Sequence, residues 1–163
     1  MTREVVSAIG IGSNLDDPVA QVLSGLAALR RLPSSQLQLA SSLYATPPMG
    51  PADQPDYINA VALLSTSLAP HALLDALQAI ELEHHRVRGR RWGPRTLDLD
   101  LLVHGNTVLE DARLTLPHPG IAERAFVVIP LLEIAPALIL PGLPDLSTLA
   151  QALAAHPIRR LGA

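Results

Sequence analysis

Two aspartates, Asp98 and Asp100, sit inside the leucine run "TLDLDLLV", and the preceding segment "HHRVRGRRWGPR" carries five arginines in twelve residues. In a strand, residues i and i+2 share a face, so both carboxylates point one way while Leu97, Leu99 and Leu101 fill the other side. Two like charges held that close repel unless something positive stands between them. Divalent magnesium suits such a pair, because it takes a few carboxylates and completes its shell with substrate phosphates and water. Arginine supplies the complementary half, since its planar fork grips phosphate oxygens bidentately. Acidic pair, arginine cluster and glycine-proline turn together point to a magnesium polyphosphate held from both sides. The competing reading is a solvent-facing edge strand whose aspartates keep it soluble and whose arginines form a solvated helix end.

Two further stretches have the makings of a binding wall. "ATPPMGPADQPDYINA" contains a loop with four prolines in the ten residues 47–56, which is cheap to hold in one shape. Beyond it, Tyr57 and Asn59 share a strand face, setting an aromatic plane beside an amide. A flat heterocycle would stack on the first and hydrogen-bond to the second. An ordinary rigid connection with a core tyrosine fits the same residues. In "RLTLPHPGIAERAFV", His118 and Arg124 flank a helix start, with Phe126 just beyond. A single histidine is more often structural than functional, so His118 carries little weight alone.

Composition narrows the chemistry. The 163 residues are 48% hydrophobic and 17% charged, the profile of one compact domain, residues 1–163, with a full core. A net charge of −3 argues against binding long nucleic acid by bulk electrostatics. No cysteine is present, which excludes disulfides, thiolate metal sites and a cysteine nucleophile. All twelve basic residues are arginine, so a Schiff-base lysine and a lysine-bearing P-loop are excluded too. Only Tyr44, Tyr57, Trp92 and Phe126 are aromatic, which frees these four for work other than filling a core built from Leu, Ala, Ile and Val. The N-terminus lacks the pattern of a signal peptide, and "LLEIAPALILPGL" is broken by Glu133, Pro136 and Pro141 before it could span a membrane. A cytoplasmic location is the expectation.

The elements that must position these residues follow from periodicity. "EVVSAIGIGSN" reads as a strand, and "DDPVAQVLSGLAALRRL" as a helix with an acidic start, an early Pro18 and Arg30-Arg31 at its end. "QLQLASSLYAT" alternates as a second strand, "YINAVALLSTS" is a third, "APHALLDALQAIELEHHRVR" a second helix and "TLDLDLLVHG" a fourth strand. The order β-α-β-β-α-β predicts an α+β, ferredoxin-like core: an antiparallel sheet with two helices on one face. Residues 107–163 predict a C-terminal extension with a short hairpin, a helix near "GIAERAFVVIPLLEIA" and a terminal helix near "LSTLAQALAAH".

The blocks "AIGIGSNL", "YATPPMGPADQPDYINA", "RWGPRTLDLDLL" and "LTLPHPGIAERAFVVIPLLEIAP" together resemble the 6-hydroxymethyl-7,8-dihydropterin pyrophosphokinases of folate biosynthesis. The resemblance runs from about residue 6 to 141. It implies transfer of a diphosphoryl group from ATP to the pterin's hydroxymethyl oxygen, releasing AMP. By position it implies that Asp98 and Asp100 hold two magnesium ions and that Arg86 and Arg95 are catalytic. Nucleotide contacts would fall to Arg88, Arg91 (or its neighbour Arg90), Trp92, Leu101, Arg113, Thr115 and His118. The pterin would meet Thr46, Pro47, Met49, Tyr57, Asn59, Trp92, Arg124 and Phe126, sandwiched between Tyr57 and Phe126, with Trp92 on a loop closing over both substrates. Pro119 follows His118 where some relatives carry an aromatic. Expected partners are small molecules alone, with no nucleic acid, no membrane and a monomeric state. The rival is a noncatalytic ferredoxin-like module, a small-ligand sensor or an RNA binder. The latter wants aromatics on its central strands and a basic face, and a sensor has no need of the Asp pair.

Overall fold

The computed structural model describes residues 4–15, 17–47, 55–88 and 97–162, with the backbone alone for 85–88. Strand β1 (Val5–Ser13) leads into α1 (Pro18–Arg30). Asp17 caps that helix by accepting the Ala20 N–H at 3.3 Å, Pro18 occupies its first turn and Arg30 its last, each where the helix ends want it. Strands β2 (Ser35–Ala40), β3 (Tyr44–Thr46) and β4 (Tyr57–Thr66) follow, then α2 (Pro70–Arg88) and β5 (Asp98–His104). The extension contains the hairpin β6 (Leu109–Glu110) and β7 (Thr115–Leu116), a single 3-10 turn (Ile121–Glu123), α3 (Ala125–Ile134), α4 (Leu146–Ala152) and β8 (Arg159–Arg160).

The main sheet runs β5-β1-β4-β3-β8, with β2 beside β4 upstream of β3, and its pairs are antiparallel. This is the ferredoxin-like arrangement with an extension, as the element order predicts. It departs from the sequence reading in three places. The single strand expected over 36–46 is two strands, because Ser41 and Ser42 divert the backbone: the Val61 N–H donates to Ser41 Oγ at 2.9 Å, and Ser42 bonds to a carboxylate of α3. The helix expected over 120–135 is interrupted at Arg124, whose extended backbone separates the 3-10 turn from α3. The pairing of β8 with β3 is new.

Strand alternation sorts the core into two layers. Ile9, Ile11, Ile58, Ala60, Ala62, Leu64, Leu97, Leu99 and Leu101 turn toward α1 and α2, where Leu26, Leu29, Leu73, Leu77 and Ile80 meet them. Ala8, Val61, Leu63, Leu102 and Val103 face the opposite layer, built by Val127, Val128 and Leu131 of α3 with Leu146 and Leu149 of α4. The extension therefore covers the face that the two-helix core leaves bare. That requirement explains why α3 is apolar almost throughout, since it is buried between the sheet and α4. A bulge between Ala8 and Ile9 lets both Leu102 and Val103 join this second layer without altering the phase of Asp98 and Asp100. Among the described residues, no helix is long and apolar enough to cross a membrane.

Candidate active site

The second face of the sheet is only partly covered. At one end Val61, Leu63 and Leu102 lie beneath α3, while the positions farther along the same strands change character. Alternation puts Asp98 and Asp100 in line with Leu102, and Tyr57 and Asn59 in line with Val61, so all four look out on the side of α3. One row across the sheet reads Asp98, Gly12, Asn59, Tyr44, and the next reads Asp100, Gly10, Val61. Glycine thus stands directly between the carboxylate strand and the amide strand. A side chain at Gly12 would place its Cβ 2.9 Å from Asn59 Oδ1, so this glycine is there for space.

Asn59 is almost wholly buried, and its Nδ2 donates to Thr46 Oγ1 at 3.1 Å. Tyr57 lies opposite Thr46 in the β3–β4 register. Across the opening, the start of α3 brings Arg124 within 3.5 Å of Asp100, Nη1 to Oδ2, and sets the guanidinium 5.7 Å from the Phe126 ring centre. Gly120 makes room for it, since a Cβ there would lie 2.8 Å from Arg124 Nε. His118 is docked by its own N–H to the Leu102 carbonyl at 2.8 Å. The Gly120 N–H donates to His118 Nδ1 at 3.0 Å, so the ring proton of the neutral imidazole sits on Nε2. Burial holds the His118 pKa below its ordinary value; the Arg124 charge adds to that, while Asp100 works against it.

The carboxylate strand is itself clamped. Between the two aspartates, the Leu99 N–H donates to Glu81 Oε2 of α2 at 2.8 Å, which caps an edge strand that would otherwise be open there. By the same alternation the main chain of Leu101 faces that outer edge, whereas its side chain is buried in the helical layer, so only its backbone is offered to a ligand. Arg113 and Thr115 stand on the β6–β7 hairpin. Arg113 Nη2 lies 2.6 Å from Asp75 Oδ1 and 3.4 Å from Gln78 Oε1, which ties the hairpin to α2. Neither joins the Asp98, Asn59 and Arg124 group. Pro47 follows β3 beside Thr46. The expected roles of Met49, Arg91 (with Arg90), Trp92 and Arg95, and of the side chains of Arg86 and Arg88, fall outside the described residues.

One cluster beside the site was not expected from sequence, where Glu133 served only to break an apolar run. Its carboxylate accepts from Tyr44 OH at 2.7 Å, Ser42 Oγ at 2.9 Å and the Ser42 N–H at 3.0 Å, with Arg160 Nη2 at 3.8 Å. Burial, followed by the Glu133 hydrogen bond and charge, pushes the Tyr44 phenol from 10.0 to about 12. For Glu133, burial acts upward but is outweighed by Tyr44, Ser42 and Arg160, so its carboxyl lies below the usual range. A depressed carboxylate stabilises the fold above its unfolded pKa, and that contribution fades as pH falls through the lower folded value. Thermal melts should therefore show Glu133→Gln less stable than wild type at neutral pH, with the gap closing in acid. A gap constant from neutral pH to pH ~3 would contradict the assignment.

With that geometry in hand, likeness to known proteins is decisive. A model of the 7,8-dihydro-6-hydroxymethylpterin-pyrophosphokinases matches residues 8–136. The chain belongs to that family. It is 47% identical to the 2-amino-4-hydroxy-6-hydroxymethyldihydropteridine pyrophosphokinase of Haemophilus influenzae over 157 residues, covering 96% of this chain and 98% of the relative. The Pseudomonas aeruginosa pyrophosphokinase is 52% identical over 149 residues, 91% of this chain and 90% of that one. Among solved structures, wild-type HPPK-DHPS of Plasmodium falciparum with pteroate superposes with a TM-score of 0.70 over 93% of this chain. This chain spans 43% of that longer one, and at 12% identity the likeness speaks for the pyrophosphokinase fold alone.

Proposed function

We propose that the uncovered half of the sheet is where diphosphate passes from ATP to 6-hydroxymethyl-7,8-dihydropterin. The reaction is that of the family: the hydroxymethyl oxygen gives up its proton and bonds to the β-phosphorus. The bond from that phosphorus to the α–β bridging oxygen breaks, and AMP leaves carrying that oxygen, with the pterin diphosphate as the other product of this folate-biosynthetic step. The observation that carries the placement is the row Asp98, Gly12, Asn59. It sets a carboxylate for the phosphate side and an amide for the heterocycle side on the two strands that flank β1, with the side-chain-free Gly12 between them.

The donor set fits magnesium. Two carboxylates share one face, and among the described residues no third His, Cys, Asp or Glu stands with them, so phosphate oxygens and water would complete the shell. Bound there by Asp98 and Asp100, the ions would neutralise charge at the entering and leaving oxygens. The chain's own residues do the rest of the positioning. Asn59, held at its amide by Thr46, offers its remaining hydrogen-bonding capacity to the pterin edge. Tyr57 and Phe126 supply the two faces of the slot, and Pro47 and Met49 its rim. His118 presents a neutral Nε2–H donor to the nucleotide, and Arg113, Thr115 and the Leu101 main chain line the approach along the β5 edge. Arg124 bridges the halves, with Asp100 on one side and Phe126 on the other. Arg86 and Arg95 act on the phosphates, Arg88 and Arg91 on the nucleotide, and Trp92 closes over both substrates and keeps water out. The same reading has the chain work on small molecules as a monomer in the cytoplasm.

The reaction is tested by mixing ATP, Mg²⁺ and hydroxymethyldihydropterin and measuring AMP. The slot is tested by calorimetry. Tyr57→Ala and Phe126→Ala should each weaken pterin binding by about 1–3 kcal/mol, the cost of losing a stacking partner for a planar base. ATP affinity should stay near wild type. A parallel loss of ATP affinity would mean that the slot is elsewhere or the fold is damaged.

A further inference from the structure

We propose that Glu133 is a positioning residue for pterin recognition, acting through Tyr44 on one wall of the slot and through α3 on the other. The proposal rests on the slot assigned above. From α3, Glu133 gathers partners from two other segments: Ser42 and Tyr44 at the entry to β3, and Arg160 on β8. Tyr44 is the register partner of Asn59 and stands two residues before Thr46, whose hydroxyl holds the Asn59 amide. Fixing the phenol therefore fixes β3, and through Thr46 the orientation in which Asn59 meets a heterocycle.

The same carboxylate anchors the far end of the opposite wall. Phe126 lies seven residues before Glu133 on α3, about 10 Å along a rigid helix. Between them the helix touches the sheet through Val127, Val128 and Leu131, apolar contacts that lack the directionality of a hydrogen bond. Among the described residues, the side-chain polar ties from α3 and its N-cap to the sheet and its flanking turn are Arg124 to Asp100 and the Glu133 cluster. The first lies within the site and is open to competition from substrates. Glu133 is the tie that persists with the site filled. It links the Phe126 wall to the Asn59 wall and so sets the spacing between them. Tyr44 is 5% exposed, so its hydroxyl has little water to fall back on if the carboxylate is removed.

The test compares Glu133→Ala, Glu133→Gln, Tyr44→Phe and Phe126→Ala in the full chain. It measures pterin affinity with a nonhydrolysable ATP analogue present, nucleotide affinity alone, steady-state KM and kcat, and melting temperature. Glu133→Ala should weaken pterin affinity about tenfold, the scale of one misplaced hydrogen bond, with pterin KM rising more than kcat falls. Nucleotide affinity should hold. Glu133→Gln, which still accepts from Tyr44 and Ser42, should recover most of the pterin affinity despite its lost charge. Tyr44→Phe should show part of the same defect and add little to Glu133→Ala, because the two act in series. A lower melting temperature with unchanged pterin affinity in Glu133→Ala and Tyr44→Phe would overturn the proposal, leaving Glu133 a structural tie. Should Glu133→Ala fail to fold, unchanged pterin affinity in Tyr44→Phe is enough to overturn it. If Phe126→Ala leaves pterin affinity intact, the slot assignment fails and this inference goes with it. If Phe126→Ala weakens binding and the Glu133 and Tyr44 variants do not, only the positioning role is lost.

Discussion

Replacing Asp98 or Asp100 by asparagine is expected to cut AMP formation by roughly a hundredfold or more while leaving the fold intact, since metal-ion charge stabilisation is worth several kcal/mol. The asymmetry follows from what each carboxylate does with and without ligands. Both lie on one face of an edge strand and are partly exposed, and the side opposite them carries Leu97, Leu99 and Leu101, which anchor the strand in the helical layer. The strand's seat is therefore apolar and independent of the carboxylate charge. For Asp100 the protein contact at stake is the 3.5 Å pair with Arg124, and both side chains are more than a third exposed, so its loss costs little. Removing one of two neighbouring like charges relieves repulsion, so the melting temperature of Asp100→Asn without ligands should be unchanged or slightly raised. Turnover is different, because asparagine offers magnesium a weaker, neutral oxygen just where charge must be balanced along the triphosphate. Stopped assays of AMP against time, paired with thermal melts, separate the two effects. Activity within a few-fold of wild type in both variants would end the two-metal assignment.

How far the site can be read from sequence depends on the range over which each feature is determined. The common face of Asp98 and Asp100 is local: once the leucine phase identifies a strand, period two does the rest, and the structure seats Leu97, Leu99 and Leu101 as that phase requires. Tyr57 and Asn59 are legible for the same reason. The break at Ser41 and Ser42 is not, because the alternation of "QLQLASSLYAT" continues across it. What ends the strand is a capture of backbone partners by hydroxyls and by Glu133, 91 residues distant in the chain. Glu81 is similar. Its place among the polar positions of α2 gives no sign that it accepts the N–H of Leu99. Carboxylates that satisfy backbone groups across the fold leave no periodic trace, and the same holds for the extent to which α3 covers its face. Apolar composition shows that α3 is buried, yet only the packed register shows that it covers Val61, Leu63 and Leu102 while Asp98 and Asp100 stay partly exposed. The arginine-rich stretch made the chemistry legible at the outset, and its expected roles at Arg91, Trp92 and Arg95 rest on the family resemblance.

Gly12→Ala should be the most informative single methyl in the protein. Gly12 has no positive φ to protect, so alanine is acceptable to its backbone and, through reduced freedom of the unfolded chain, slightly favourable. The obstacle is steric and specific: the new Cβ would sit 2.9 Å from Asn59 Oδ1, closer than such contacts are found. Asn59 cannot swing into solvent, being 5% exposed, and its other end is held by Thr46 at 3.1 Å. Relief therefore comes from rotating the amide, which breaks the Thr46 bond and turns donor and acceptor away from their working directions. A site built to pair with a polar heterocycle edge loses about 1–3 kcal/mol when one buried partner is left unmatched, so pterin affinity should drop by roughly tenfold or more. Asp98, across the row on β5, is not displaced by the methyl, so nucleotide affinity should persist and the defect should fall on pterin KM more than on kcat. Gly10→Ala is the control. It adds the same methyl to the same strand, but the nearest atoms are ordinary neighbours at 3.6 to 3.8 Å. If calorimetry finds the same pterin affinity in both variants, Asn59 does not read the substrate and the row across β5, β1 and β4 has no part in choosing it.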